Sequence, residues 1–190
     1  MTGSPPVAVS WCGFLTVKRC DQSLKNDIFA GVQTPATVFL ESHDITYQAH
    51  PYDHDPGAAS FGIEAAEKLG LDPDVVFKTL MARLDDDRGE LVVAIVPVTH
   101  KLDLKALARA AGGKRARMAV VAHAERSSGY VAGGISPFGQ KRGLRTFIDE
   151  TAEICETIYV SGGQRGFDIG LSPAALIESL GAVVAPLATV

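Results

Sequence analysis

The chain has 190 residues, 46% of them hydrophobic and 21% charged, with a formal net charge of −4. That length carries one well-buried core and is short for two ordinary domains, and no apolar run approaches the roughly 20 residues a membrane span needs. The acidic balance excludes a generally basic nucleic-acid coat and leaves room for a local basic face only.

The opening stretch MTGSPPVAVSWCGFLTVKRC lacks a basic region ahead of its apolar residues and lacks a small-residue cleavage pattern, which argues against a secretory signal. Residues 1–33 show no sustained periodicity and hold the only tryptophan. They are read as an N-terminal extension, a leader or a flexible arm, ahead of a domain spanning 34–190. Cys12, Cys20 and Cys155 show no C-x-x-C spacing and leave an odd one over, so neither a zinc site nor a disulfide framework is supported. A reducing cytoplasm is the expected setting, with no membrane partner.

Thr34-Pro35 followed by ATVFLESHD predicts a capped helix from Pro35 to about His43. ITYQAHPY alternates, with Ile45, Tyr47, Ala49 and Pro51 on one face, as a strand does. Ser60 is placed to cap a helix FGIEAAEKLG that Gly70 closes, and Asp72-Pro73 starts a further short turn of helix. FKTLMARL and ELVVAIVPV, separated by the polar run Asp85 to Gly89, predict a hairpin whose second strand is buried on both faces. Asp103 caps a helix LKALARAAGG that ends at Gly112. RTFID, ETIYVSG and GFDIGLS are expected as strands, and Ser172-Pro173 opens a closing helix AALIESLG. This order is not the regular β-α-β-α of a doubly wound sheet. The expected class is α+β, a curved mixed sheet or barrel with helices packed outside.

Signatures of common hydrolases are absent: no G-x-S-x-G elbow, no H-E-x-x-H, no P-loop and no G-x-G-x-x-G between strand and helix. His50 and His54 are four apart, but Pro51 spoils the helix that would put both imidazoles on one face, and a polar loop is the better reading than a metal site. Lys78 is the one charge in VVFKTLMA. Its ammonium either reaches out to water along its stem or is held in a pocket, where it binds a phosphate, a carbonyl or a terminal hydroxyl, with Thr79 adding a hydrogen bond. GYVAGGISPFG lets backbone at Gly133 and Gly134 approach a ligand closely; the competing reading is a tight turn with Phe138 tucked into the core. Lys141, Arg142 and Arg145 give this loop a cationic flank suited to phosphates. A second glycine-rich turn, Ser161 to Gly166, precedes Asp168, whose carboxylate faces water or needs a partner such as Lys78 or a substrate amine. Lys114, Arg115 and Arg117 read as a solvated basic face.

Taken together, Lys78 in FKTL, the loop GGISPFGQKR and the turn SGGQRGFDI, in this order with EAAEKLGLDPDVVFKTL, VVAIVPV and LDLKALA, resemble the YbaK/ProX family of trans-editing aminoacyl-tRNA deacylases, closest to its YbaK branch, the Cys-tRNA(Pro) deacylases. The likeness runs from about Thr34 to Ala185. Ser127-Ser128 departs from the threonine that the family commonly carries beside the glycine at this point. The resemblance implies an α+β domain like the editing insertion of bacterial prolyl-tRNA synthetases, with no metal and no cofactor. Its substrate would be mischarged tRNA, tRNA(Pro) in that branch, with prolyl-tRNA synthetase as a recruiting partner. It assigns the invariant lysine to Lys78 and the loop around the ester to Gly133 and Gly134. Tyr52 and Phe61 would line the aminoacyl and adenosine pocket, Ser136, Ser161 and Asp168 would surround the amino-acid end, and Lys141, Arg142 and Arg145 would lie near acceptor-stem phosphates. It also implies that the substrate's own cysteine thiol attacks its ester, so that the protein orients the chain and stabilises charge; Cys155 is then a core residue. The alternatives at this point are a deacylase for alanine or another small residue on tRNA, and a non-catalytic tRNA- or nucleotide-binding module.

Overall fold

A computed structural model describes residues 32–86 and 88–189, so most of the expected N-terminal extension, with Trp11, Cys12 and Cys20, lies outside the described residues. Thr34 accepts from the Thr37 amide, and the Thr37 hydroxyl accepts from Thr34 in return, a reciprocal cap that starts α1 (Pro35–Ser42) as the Thr-Pro pair predicts. β1 (Gln48–Pro51) follows, shorter than the expected strand, and then α2 (Phe61–Leu69), which Gly70 ends at φ 65. Ser60 occupies the N-cap position of α2, but its side chain makes no capping bond. It lines a cleft instead.

The hairpin forms as its pattern dictates, from β2 (Phe77–Leu84) and β3 (Leu91–Pro97), paired antiparallel from Phe77 opposite Pro97 to Arg83 opposite Leu91. All seven residues of β3 are buried. Val93 and Ile95 enter one core, while Val92, Ala94 and Val96 enter another on the opposite face, which is why the strand reads as a continuous apolar run. β4 (Lys101–Leu102) leads to α3 (Leu104–Ala110), capped by the Asp103 carboxylate at 2.8 Å from the Lys105 amide and 3.0 Å from the Ala106 amide.

β5 (Ala116–Met118) and α4 (Val121–Ser128) come next, then β6 (Thr146–Asp149), β7 (Ile158–Gln164) and β8 (Phe167–Leu171). α5 (Pro173–Leu180), β9 (Val183–Ala185) and β10 (Ala188–Thr189) complete the order. A five-stranded mixed sheet runs β5-β2-β3-β6-β9, a three-stranded antiparallel sheet runs β1-β8-β7, and β4 pairs with β10. The fold is α+β as expected, but the sheets stay open; the barrel alternative does not hold, because the two larger sheets meet through a single bridge, Val76 to Tyr159.

The larger core lies between these two sheets. Phe77, Ile95 and Ile148 from one pack with Val160, Phe167 and Ile169 from the other, and Leu40, Leu176 and Phe138 close its sides. Leu107 and Ala111 of α3 cover the opposite face of the five-stranded sheet. Among the described residues no helix is long and apolar enough to cross a membrane.

Candidate functional site

The bridge between the sheets opens one end of the inter-sheet space into a cleft of about 230 Å³. Lys78 and Thr79 at the start of β2 form one wall, Ser161 and Asp168 from β7 and β8 another, and Phe61 with Gly133 the mouth. Tyr52 also borders it. Seven of the residues singled out by sequence thus meet in one place, although they come from six separate segments.

Lys78 resolves its two sequence readings in favour of a held amine. Its Nζ donates to the carbonyl of Val98 at 3.3 Å and to that of His100 at 2.5 Å. An ammonium has three N–H groups, so one is left for the cleft. Partial burial lowers the lysine pKa from its usual value. The neighbouring Thr79 Oγ1 is buried and has no hydrogen-bond partner among the described residues, an uncommon state for a hydroxyl and one that a ligand in the cleft would relieve.

Asp168 is the electrostatic centre of the site. It is only 6% exposed, and among the described residues no hydrogen bond or ion pair reaches its carboxyl. The lysine that sequence offered as its partner is bonded to backbone carbonyls instead. Desolvation therefore acts unopposed and raises the Asp168 pKa to about 7. Tyr52 feels the same burial and the Asp168 charge, which push its phenol up to about 12. Asp168 lies opposite Ser161 on one side and His50 on the other, so all three side chains leave the same face of the sheet. His50 stacks edge-on against Tyr159 at 5.1 Å, and its buried Nε2 has no hydrogen-bond partner among the described residues.

The glycine loop divides into two parts. Its second half is packing: Phe138 is fully buried, Ser136 is fully buried with Oγ accepting from the Phe138 amide at 3.3 Å, and Tyr130 Oη donates to the Phe138 carbonyl at 2.7 Å. Gly139, at φ 60, lies so close to the Pro35 carbonyl that an added Cβ would overlap it. Gly133 and Ile135 are the loop residues that line the cleft. Gly133 has φ 87, and a Cβ there would stand 2.7 Å from the Phe61 ring. Its N–H has no hydrogen-bond partner among the described residues, whereas the Gly134 N–H is used inside the loop, donating to Val131 at 3.0 Å. Gly134 and Ser136 are not part of the cleft lining.

Two contacts that the sequence did not announce hold this mouth. Arg165 donates twice to the Ala132 carbonyl, at 3.0 and 2.7 Å, and its guanidinium lies 4.8 Å from the centre of the Phe61 ring. Beneath Phe61, the buried Glu64 accepts from the Asp55 amide at 2.5 Å and lies 2.8 Å from His54 Nδ1. Those hydrogen bonds outweigh its burial and lower the Glu64 pKa. The ten-residue gap between His54 and Glu64 spans a loop and carries no periodic signal.

The cationic flank lies apart from the cleft. Arg142 lines a second cavity, Lys141 is exposed with its stem over Gly129, and Arg145 pairs with Glu90 at 3.1 Å and lies 5.2 Å from the Phe147 ring centre. Arg115 of the other basic cluster donates to the Asp85 carbonyl at 2.7 Å. Cys155 donates to the Thr151 carbonyl at 3.5 Å and packs at the edge of the larger core; burial raises its thiol pKa, with Asp72 and Asp74 adding to the effect. Among the described residues no group of three His, Cys, Asp or Glu side chains converges as a metal site.

Comparison with known proteins points to one family. A sequence model of the aminoacyl-tRNA editing domain matches residues 55–179. EbsC of Enterococcus faecalis, named as a candidate Cys-tRNA(Pro)/Cys-tRNA(Cys) deacylase, is 35% identical over 146 residues, covering 77% of this chain and 87% of that protein. Among solved structures, a hypothetical protein superposes with a TM-score of 0.73 at 22% identity, over 82% of this chain and all of its own. A candidate trans-editing enzyme for prolyl-tRNA synthetase superposes with a TM-score of 0.70 at 22% identity, over 84% of this chain and all of its own. At that identity the two structures speak to the fold.

Proposed function

Because the chain belongs to the aminoacyl-tRNA editing domain family, we propose that it is a deacylase acting in trans on mischarged tRNA, with Cys-tRNA(Pro) as its substrate. The observation that carries the cysteinyl reading is the state of the cleft's hydroxyls. Among the described residues, none of Ser60, Thr79, Ser161 and Tyr52 is hydrogen-bonded to an imidazole or a carboxylate that could draw off its proton. A side-chain hydroxyl without such a base is a weak nucleophile, while a few per cent of a cysteine thiol is already thiolate near neutral pH. The substrate thus brings the nucleophile that the protein lacks.

In this reading the α-ammonium of the cysteinyl group docks against Asp168, and its charge supplies the partner that the buried carboxyl lacks. The thiolate then attacks the ester carbonyl. A carbon–sulfur bond forms, the bond to the ribose oxygen breaks, the thiol proton ends on that oxygen, and a cyclic thiolactone leaves. The free N–H of Lys78 and the unpaired N–H of Gly133 face the negative charge that builds on the oxygens in the transition state. Phe61, with Arg165 behind it, offers a flat surface for the terminal base.

Deacylation of Cys-tRNA(Pro), Ser-tRNA(Pro) and Ala-tRNA(Pro) tests this directly. Cleavage of the cysteinyl ester alone, lost in Lys78→Ala, is the expected result. Release of alanine at a comparable rate would mean that water is activated and that a different small residue is the substrate. Binding without cleavage of any of the three would mean a module that only carries tRNA.

A further inference from the structure

The ester cleft occupies one end of β2, and a second cavity, of about 420 Å³, lies at its other end. Four arginines line it: Arg83 from β2, Arg88 from the hairpin turn, Arg126 from α4 and Arg142 from the loop that returns from Gly133. Among the described residues Glu90 is the one acidic side chain in this lining, and its carboxylate is paired with Arg145 at 3.1 Å. Arg83 is held in place, donating through Nη1 to the Gly89 carbonyl at 2.7 Å and standing 3.5 Å from His123 Nδ1 through Nη2. Arg88, Arg126 and Arg142 are exposed, and no described carboxylate pairs with them.

In a chain of net charge −4, gathering four guanidinium groups around one cavity whose one described carboxylate, Glu90, is shared with Arg145 costs repulsion. A bound anion would offset it. Guanidinium forks match phosphate oxygens two at a time, and these arise from four different segments, so their convergence belongs to the fold and not to a basic run in sequence. Thr79 in the cleft and Arg83 in the cavity stand on the same face of β2, four residues or about 13 Å apart at about 3.3 Å per residue.

We infer that this arginine-lined cavity, at the other end of β2 from the ester cleft, binds backbone phosphates of the tRNA acceptor end. The inference rests on the reading of the cleft as an editing site, because that reading supplies an RNA whose backbone must leave the cleft in some direction. The cavity gives it one, and separates two tasks: the cleft selects the amino acid, and the arginines hold the RNA irrespective of its sequence.

Binding of uncharged tRNA(Pro) transcript, measured by fluorescence anisotropy over a series of KCl concentrations, tests the site without requiring ester cleavage. Any failure here is therefore separate from a failure of the deacylation assay. For R88Q/R126Q/R142Q the slope of log affinity against log salt should become shallower by about 2 to 3, with affinity at 0.1 M salt down by about tenfold or more. A charge-matched control, K101Q/K105Q/R109Q on β4 and α3, should stay within about twofold of the parent chain. An unchanged slope in the cavity variant, or an equal fall in the control, would overturn the assignment. Displacement of the tRNA by sub-millimolar inorganic pyrophosphate at fixed ionic strength would also overturn it, by giving the cavity to a free phosphate ligand.

Discussion

Replacing Asp168 by Asn removes a buried carboxyl while keeping its shape, and the gain in stability should depend on pH in a defined way. In the unfolded chain the carboxyl titrates near 3.8; in the fold, burial raises it to about 7. Below pH 3.8 both states hold the proton and the group contributes no difference. Between 3.8 and about 7 the folded chain keeps a proton that the unfolded chain has released, so folding stability falls as pH rises. The loss is complete above about 7. At 1.36 kcal/mol per pH unit this rise amounts to about 4 kcal/mol, an upper bound for a group that is 6% exposed. Urea denaturation of the parent chain and D168N should therefore give nearly equal stabilities at pH 4 and diverge in favour of the variant by up to about 4 kcal/mol at pH 8. A difference that stays constant between these two pH values would refute the claim that Asp168 is an unpaired, desolvated acid. The variant should at the same time lose affinity for a cysteinyl ester, since the carboxyl that strains the empty fold is the one proposed to meet the substrate ammonium.

Lys78→Met keeps the length of the stem and removes the donor, so kcat/KM for deacylation should fall at least about a hundredfold while the thermal midpoint moves little; steady-state kinetics with calorimetry would show both. Gly133→Val forces a β-branched residue to φ 87 against the Phe61 ring, and should cost about 1 to 3 kcal/mol in denaturant stability and abolish activity. Gly134→Val should lose activity by a different route, because a Cβ there would stand 2.9 Å from the Gln164 backbone and push the loop away; normal turnover in that variant would remove the loop from the site. Arg165→Ala frees the Ala132 carbonyl and one side of Phe61, and should raise KM for tRNA more than it lowers kcat.

The elements legible in the sequence were those whose local chemistry and burial agree. Thr34-Pro35, Asp103 and Ser172-Pro173 mark helix starts, and Gly70 marks a helix end, because a side-chain cap, a proline in the first turn or a positive φ needs those residue types, although Ser172 itself makes no capping bond. β3 was legible because a strand buried on both faces cannot hide its apolar run. α4 was not: Val121 to Ser128 begins without a side-chain cap and exposes much of its surface, so neither boundary nor stripe announces it. β4, β5, β9 and β10 are two or three residues long, and their pairing is decided by distant partners. At the site, chemistry-bearing residues such as Lys78, Asp168 and Gly133 stood out as exceptions to their surroundings. Ser136 stood out for the same reason yet serves packing, and Arg165 and Glu64 passed unnoticed because their partners lie across loops in space. Polarity inside an apolar run marks a residue; only the fold says what it faces.

The carbonyl of His100 that holds the Lys78 ammonium is followed at once by β4, whose only described strand partner is β10, close to ninety residues further along the chain. The Asp149 carboxylate fastens that distant segment, accepting from the Leu187 and Ala188 amides at 2.7 Å each. Through β4 the brace on Lys78 is thus tied to β10, so the position of the amine joins segments far apart in the sequence.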